Sequence, residues 1–229
     1  MHPYVESIYS LFAAYADPVA AVPMKRYLRN QFESLGLKGA QFGRLLREHL
    51  EEHGLPPLSE LDAIVRDLWA LPEREFQYVA VSLLGRLAKQ LPPEFIETLE
   101  YLLVTKSWWD TVDTISTGVV GLHFKRFPDV RGNYLSKWRK SENLWLRRAS
   151  ILFQLNYKAG TDYGLLREII CENLGSKEFF INKAIGWALR QYTRVDPVAV
   201  REFVAVTPLH PLSAREALKW LEKRERAKA

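Results

Sequence analysis

This 229-residue chain predicts an all-α architecture of repeated helical hairpins, and three features carry that prediction. Apolar residues recur at helical spacing almost throughout, the strict alternation that strands need is nearly absent, and one short pattern returns every 33 to 36 residues. The punctuation then places the elements in order. Breaks fall at Asp17-Pro18, Gly36, Gly54 through Pro56-Pro57, Leu71-Pro72 and Pro92-Pro93 in the first half. Phe127-Pro128, Gly160, Gly175, Asp196-Pro197 and Pro208 through Pro211 follow in the second. Segments of roughly 10 to 20 residues remain between them, enough for about a dozen helices joined by short connections. No linker long enough to separate domains occurs, so residues 1–229 read as one repeat domain, with the charged tail from Glu222 onward expected to fray.

Composition narrows the function classes without choosing one. With 48% hydrophobic residues the chain can bury a sizeable core. The excess of 32 Lys+Arg over 27 Asp+Glu permits a phosphate-binding surface but does not require one. A single cysteine, Cys171, excludes an internal disulfide framework and a cysteine-based zinc site. His49 and His53 stand four apart without a third ligand, and neither a P-loop, a glycine-rich dinucleotide fingerprint nor a Ser-His-Asp arrangement is present. No apolar run of about 18 residues and no signal-like start are found. A soluble cytoplasmic protein is the expectation.

The repeat becomes visible when the chain is aligned on an aromatic residue followed four positions later by a small one. Phe76 and Ala80, Trp145 and Ala149, Phe180 and Ala184, and a weaker Ser213 and Ala217 give anchors at 80, 149, 184 and 217, with 113 completing the series. The intervals are 33, 36, 35 and 33 residues, two helices and two turns each. Stacked hairpins of a HEAT-like or TPR-like α-solenoid fit this period. The large and small residues one turn apart let neighbouring helices interlock, so most anchors are core.

One anchor departs from the pattern. In Lys106-Ser107-Trp108-Trp109-Asp110-Thr111-Val112-Asp113 the alanine register carries a carboxylate, which shares a helix face with Trp109. Desolvating an unpaired carboxylate costs several kcal/mol. Asp113 is therefore either a cap, a buried acid paired with a base such as Lys106, or an acid facing an open cleft. Three residues past the anchor, Trp187 replaces a medium aliphatic side chain. At neighbouring registers stand Arg148, Lys183 and Arg190, which either form a row following a phosphate backbone or are simply a solvated face. Asp113 and Trp187 lie two repeats apart, about 16 to 20 Å along a straight stack. A shared site then requires the array to curve around a concave groove.

The Lys106–Asp113 run, together with Trp145-Leu146-Arg147-Arg148-Ala149, the stretch from Ser176 to Arg190 and the opening Met1-His2-Pro3, resembles the DNA alkylation repair family of HEAT-like-repeat proteins from residue 1 to about 221. That resemblance implies a glycosylase that excises cationic alkylated purines, chiefly N3-methyladenine and N7-methylguanine, from double-stranded DNA without drawing the lesion into a pocket. It implies no cofactor, no metal and no membrane partner, and a monomer. Trp109, Asp113 and Trp187 match the family's catalytic positions, while Tyr27, Arg148 and Arg190 match positions close to DNA; Lys183 joins them on register. Lys38-Gly39 and Asn156 depart from the family at places where it contacts the DNA backbone. The chemistry suits the residue types: an alkylated purine is already a good leaving group, and a fixed carboxylate stabilises the oxocarbenium-like sugar left behind. The competing class is a non-catalytic helical scaffold that binds protein or damaged DNA.

Overall fold

The computed structural model describes residues 1–226 and, among them, contains helices and no strand. The chain divides into two compact units, Met1–Thr98 and Leu99–Ala229. Among the described residues no helix is long and apolar enough to cross a membrane.

In the first unit, α1 (Pro3–Ala13) packs on α3 (Gly39–His53) and α4 (Leu58–Ala70), and α4 on α5 (Arg74–Leu87). The buried stripe Val5, Ile8 and Phe12 recurs at three- and four-residue spacing and meets Leu45, Leu61, Ile64 and Leu68, all fully buried. Helix α2 (Pro18–Tyr27) starts where the Asp-Pro break predicts. The Asp17 carboxylate accepts the backbone N–H groups of Val19 and Ala20, and Pro18 occupies the first turn, where no N–H is needed. The loop after α2 is held by Glu75 of α5, whose buried carboxylate accepts from the Ser34 hydroxyl and the N–H groups of Leu35, Gly36 and Leu37. Gly36 is required there: its φ is +84° and a Cβ would strike the Asp17 carbonyl. The rings of His49 and His53 lie tilted with centroids 4.6 Å apart, and among the described residues no group of three ligating side chains could hold a metal.

Helix α6 (Ile96–Val104) leads into the second unit. There α7 (Trp109–Thr114), a π-helical stretch over Ile115–Val120 and α8 (Gly121–Arg126) run on as one helix. They are followed by α9 (Pro128–Trp138), α10 (Leu144–Leu152), α11 (Tyr163–Glu172), α12 (Phe179–Tyr192), α13 (Pro197–Val206) and α14 (Pro211–Arg226). With Trp109–Arg126 counted once, thirteen α-helices are found among the described residues; most breaks follow the prolines and glycines of the sequence, whereas those before α7 and α10 contain neither. The stacking follows the period: α7 packs on α10, α10 on α12 and α12 on α14, one helix from each successive hairpin. The anchors Ala149, Ala184 and Ala217, like Ala80 in the first unit, are 0% exposed. Helix α14 remains regular through Arg226, where the tail was expected to fray; residues 227–229 lie outside the described residues.

Candidate functional site

The Asp113 helix is entered through a sharp turn. Ser107 donates its hydroxyl to the Leu103 carbonyl at the end of α6, Lys106 adopts φ +46°, and Trp108 is extended before α7 begins. Trp108 packs against Trp145 of α10 and Phe180 of α12, with centroids 5.8 and 5.2 Å away, and Trp145 lies 5.0 Å from Phe180. The repeat aromatics Trp145 and Phe180 therefore cluster with Trp108, the residue just ahead of the repeat aromatic Trp109. The π-helical turn begins two residues after Asp113. A π turn takes up an extra residue, and such turns recur at functional sites. Thr117 within it returns its hydroxyl to the Asp113 carbonyl. Asn156 donates its amide to the Thr117 carbonyl, which is where the structure places that family departure.

The partner of Asp113 is Arg148, not Lys106. Arg148 Nε and Nη2 each donate to one carboxylate oxygen at 2.7 Å, a two-pronged pair, and Nη1 donates to the Phe180 carbonyl. One guanidinium thus ties α7, α10 and α12 together. Its side chain is 3% exposed, against 15% for Asp113, so the arginine lies beneath and the carboxylate opens outward. Burial pushes the Asp113 carboxyl above the usual aspartate range, the Arg148 hydrogen bonds and charge pull it down, and nearby Asp110 adds to the upward shift.

Asp113 opens into a cleft of about 390 Å³ lined by Trp109, Asp113, Arg148, Phe179, Phe180, Lys183, Trp187 and Arg190. The two-repeat separation of Asp113 and Trp187 is thereby bridged, since α10 and α12 carry the intervening wall. Six of the seven residues singled out from the sequence meet here. Tyr27 belongs to the first unit, where it is 70% exposed beside an apolar hollow lined by Pro23, Met24, Leu28, Phe32 and Tyr78. Lys38 is exposed just ahead of α3.

The expected row of surface bases needs correction. Arg148 is buried, as are Val79 and Val112 at the same register. Lys183 and Arg190 remain partly exposed, and both reach Glu216 of α14. Lys183 Nζ lies 2.8 Å from one carboxylate oxygen, and Arg190 Nη1 holds the other. Lys183, through its hydrogen bond, and then the charges of Lys183, Arg190 and Lys219 hold the Glu216 carboxyl below its ordinary value against the opposing effect of burial. Gly186 makes this approach possible, since a Cβ there would meet Glu216 Cβ and the Ser213 carbonyl. Glu216 and Phe179 were missed from sequence. Phe179 hides beside a repeat anchor, and Glu216 breaks a register that reads Arg148 and Lys183 in the two preceding repeats.

The second unit is thus a stack of helical repeats carrying an aromatic, cation-rimmed cleft with one carboxylate at its base. Residues 8–221 match the family model described as DNA alkylation repair enzyme, and the chain belongs to that family. It also resembles the structure of a predicted DNA alkylation repair enzyme from Enterococcus faecalis, with 31% identity and a TM-score of 0.84, covering 91% of this chain and 97% of that one. No curated protein matches it significantly. Family membership makes this an enzyme of DNA alkylation repair.

Proposed function

We propose that the chain is a DNA glycosylase that removes cationic alkylated purines, N3-methyladenine and N7-methylguanine, from duplex DNA, with Asp113 as its catalytic carboxylate. The observation that carries this reading is the presentation of Asp113. Both oxygens rest on a buried guanidinium, yet the group opens into a cleft walled by Trp109 and Trp187. As the glycosidic bond breaks, its electron pair passes to the purine, which leaves neutral, and positive charge moves to the deoxyribose. A fixed carboxylate stabilises that charge more than it stabilises the substrate, which lowers the barrier. It also orients the water that adds to the sugar carbon and accepts its proton. No general acid is needed for a leaving group that is already cationic, and the cleft lining contains no histidine.

Indole faces attract cations by about 0.5 to 2 kcal/mol each. Trp109 and Trp187 therefore favour the charged lesion over neutral bases, so selectivity follows substrate charge and lability. Lys183 and Arg190 contact the backbone phosphates at the rim, and Tyr27 is assigned to DNA through the family resemblance. The same resemblance supports excision without flipping the lesion, unlike most base-modifying enzymes. The protein works as a monomer with no cofactor.

One observation favours a second reading: the two-pronged Arg148 pair is what a purely structural Asp113 would also form. The deciding experiment is a single-turnover assay on duplex containing N7-methylguanine, with wild type beside Asp113→Asn. Wild type releases free methylated base, whereas the variant binds the duplex and releases it far more slowly. Equal rates would leave Asp113 as a strut, and absence of release by wild type would falsify the glycosylase assignment.

A further inference from the structure

Five helices carry the repeat anchors, and among the described residues only the one bearing Asp113 departs from α geometry. Its counterparts α5, α10, α12 and α14 are regular, whereas its stretch from Ile115 to Val120 is π-helical. A π turn takes up one extra residue, and one residue corresponds to about 100° of rotation about a helix axis. Where the turn sits therefore decides which way Asp113 and Trp109 point relative to the helix beyond it. Were the turn to migrate across Asp113, the carboxylate would swing away from the cleft.

The turn is pinned from both sides. Toward Asp113, the hydroxyls of Thr114, Ser116 and Thr117 donate to the carbonyls of Asp110, Val112 and Asp113 at 2.9, 2.6 and 2.9 Å. Returns of this kind to the carbonyl four residues back bend a helix and compete with its own ladder. On the far side, two consecutive side chains from the segment after α10 take two further carbonyls. The Asn156 amide donates to Thr117 at 3.0 Å, and the Tyr157 hydroxyl donates to Gly121 at 2.5 Å. Thr117 lies inside the π stretch and Gly121 just past its end, so the two contacts bracket its C-terminal half. Burial pushes the Tyr157 hydroxyl up to about 12, which keeps on it the proton it donates. Gly121 admits the segment this closely, since a Cβ there would strike the Phe153 carbonyl. Neither Asn156 nor Tyr157 lines the cleft, so any effect on its chemistry passes through the backbone.

We propose that Asn156 and Tyr157 are positioning residues that lock the π turn just beyond Asp113 and so hold the carboxylate in the rotation that faces the cleft, an assignment that rests on the glycosylase reading of Asp113. Arg148 lies on α10 and this pair follows the same helix. One neighbouring repeat thereby fixes both the carboxylate and the backbone that presents it.

The test compares wild type with Asn156→Ala, Tyr157→Phe and the double variant. Asn156 is exposed and Tyr157→Phe keeps its ring, and thermal melting verifies that each fold is retained. Single-turnover excision from duplex containing N7-methylguanine is followed at saturating enzyme, beside duplex affinity and hydrogen exchange of the backbone amides of residues 115–121. Each single variant lowers the saturating rate by about tenfold and the double variant by about 10²-fold, while affinity stays within about twofold of wild type. Exchange over residues 115–121 accelerates in all three. A merely structural contact would loosen the turn yet leave the saturating rate unchanged, and that result would overturn the positioning role. Unchanged exchange would overturn the clamp itself. Weaker binding by Asn156→Ala with an intact saturating rate would make Asn156 a DNA contact instead. A wild type that releases no base would overturn the glycosylase reading and the purpose of the clamp with it, whereas full-rate variants beside an active wild type sink the clamp alone.

Discussion

Asp113 and Glu216 are both largely buried carboxylates of the second unit, each in contact with an arginine, and their carboxyl groups are displaced in opposite directions. Asp113 has one guanidinium, and desolvation outweighs it, so its proton is held more tightly than usual. Glu216 has Lys183 and Arg190 as direct partners and Lys219 nearby, and together they outweigh the cost of burial. The difference separates two tasks. On the proposed function, the acid that would respond to a charge appearing in front of it has a single partner behind it, whereas the acid that holds cations in place is surrounded by them.

The comparison breaks most visibly at Asp113. Asp113→Asn keeps the size of the side chain and removes its charge, and single-turnover excision is expected to fall by about 10² to 10⁴. On the proposed mechanism the ionised carboxylate is the working form, so excision should rise with pH through a pKa above the ordinary aspartate value of 3.8 and then level. A flat profile across that acid limb would remove Asp113 from the chemistry. Next in size, Arg148→Ala leaves the acid buried without its partner and frees the Phe180 carbonyl. Chemical denaturation should show a loss of about 3 to 5 kcal/mol.

Smaller effects are expected on the Glu216 side. Gly186→Ala places a methyl group against Glu216 and the Ser213 backbone, and should cost about 1 to 3 kcal/mol by overpacking. Smallest is the pH dependence of stability, where the two acids have opposite signs. Glu216, held below its ordinary 4.5, contributes stability that is fully present above that value and is lost as pH falls through its folded value. Asp113, raised in the fold, contributes the reverse slope just above 3.8. Melting curves from pH 3 to 6 for Glu216→Gln and Asp113→Asn should therefore shift away from wild type in opposite senses. Parallel shifts would mean that the two carboxylates share one environment.

Much of this site was legible because the repeat supplies its own control. Ala80, Ala149, Ala184 and Ala217 define a buried register, and Asp113 is conspicuous within it. Arg148 is harder to place, since its charge favours solvent while Val79 and Val112 hold the same register buried. The π-helical turn over Ile115–Val120 leaves no comparable mark, since β-branched residues and a glycine are consistent with several backbone states. Glu216 was passed over because its importance depends on Gly186, thirty residues away, where the missing side chain is what admits it.

Arg148 takes its acid from α7, in the hairpin before its own, and its carbonyl acceptor from α12, in the hairpin after it. The smallest fragment that can assemble this constellation accordingly spans three consecutive hairpins, and copying any single one reproduces none of it. An array of this kind can lengthen at its ends by duplication without multiplying this constellation, whereas an insertion between the hairpins of Asp113 and Phe180 would dismantle it.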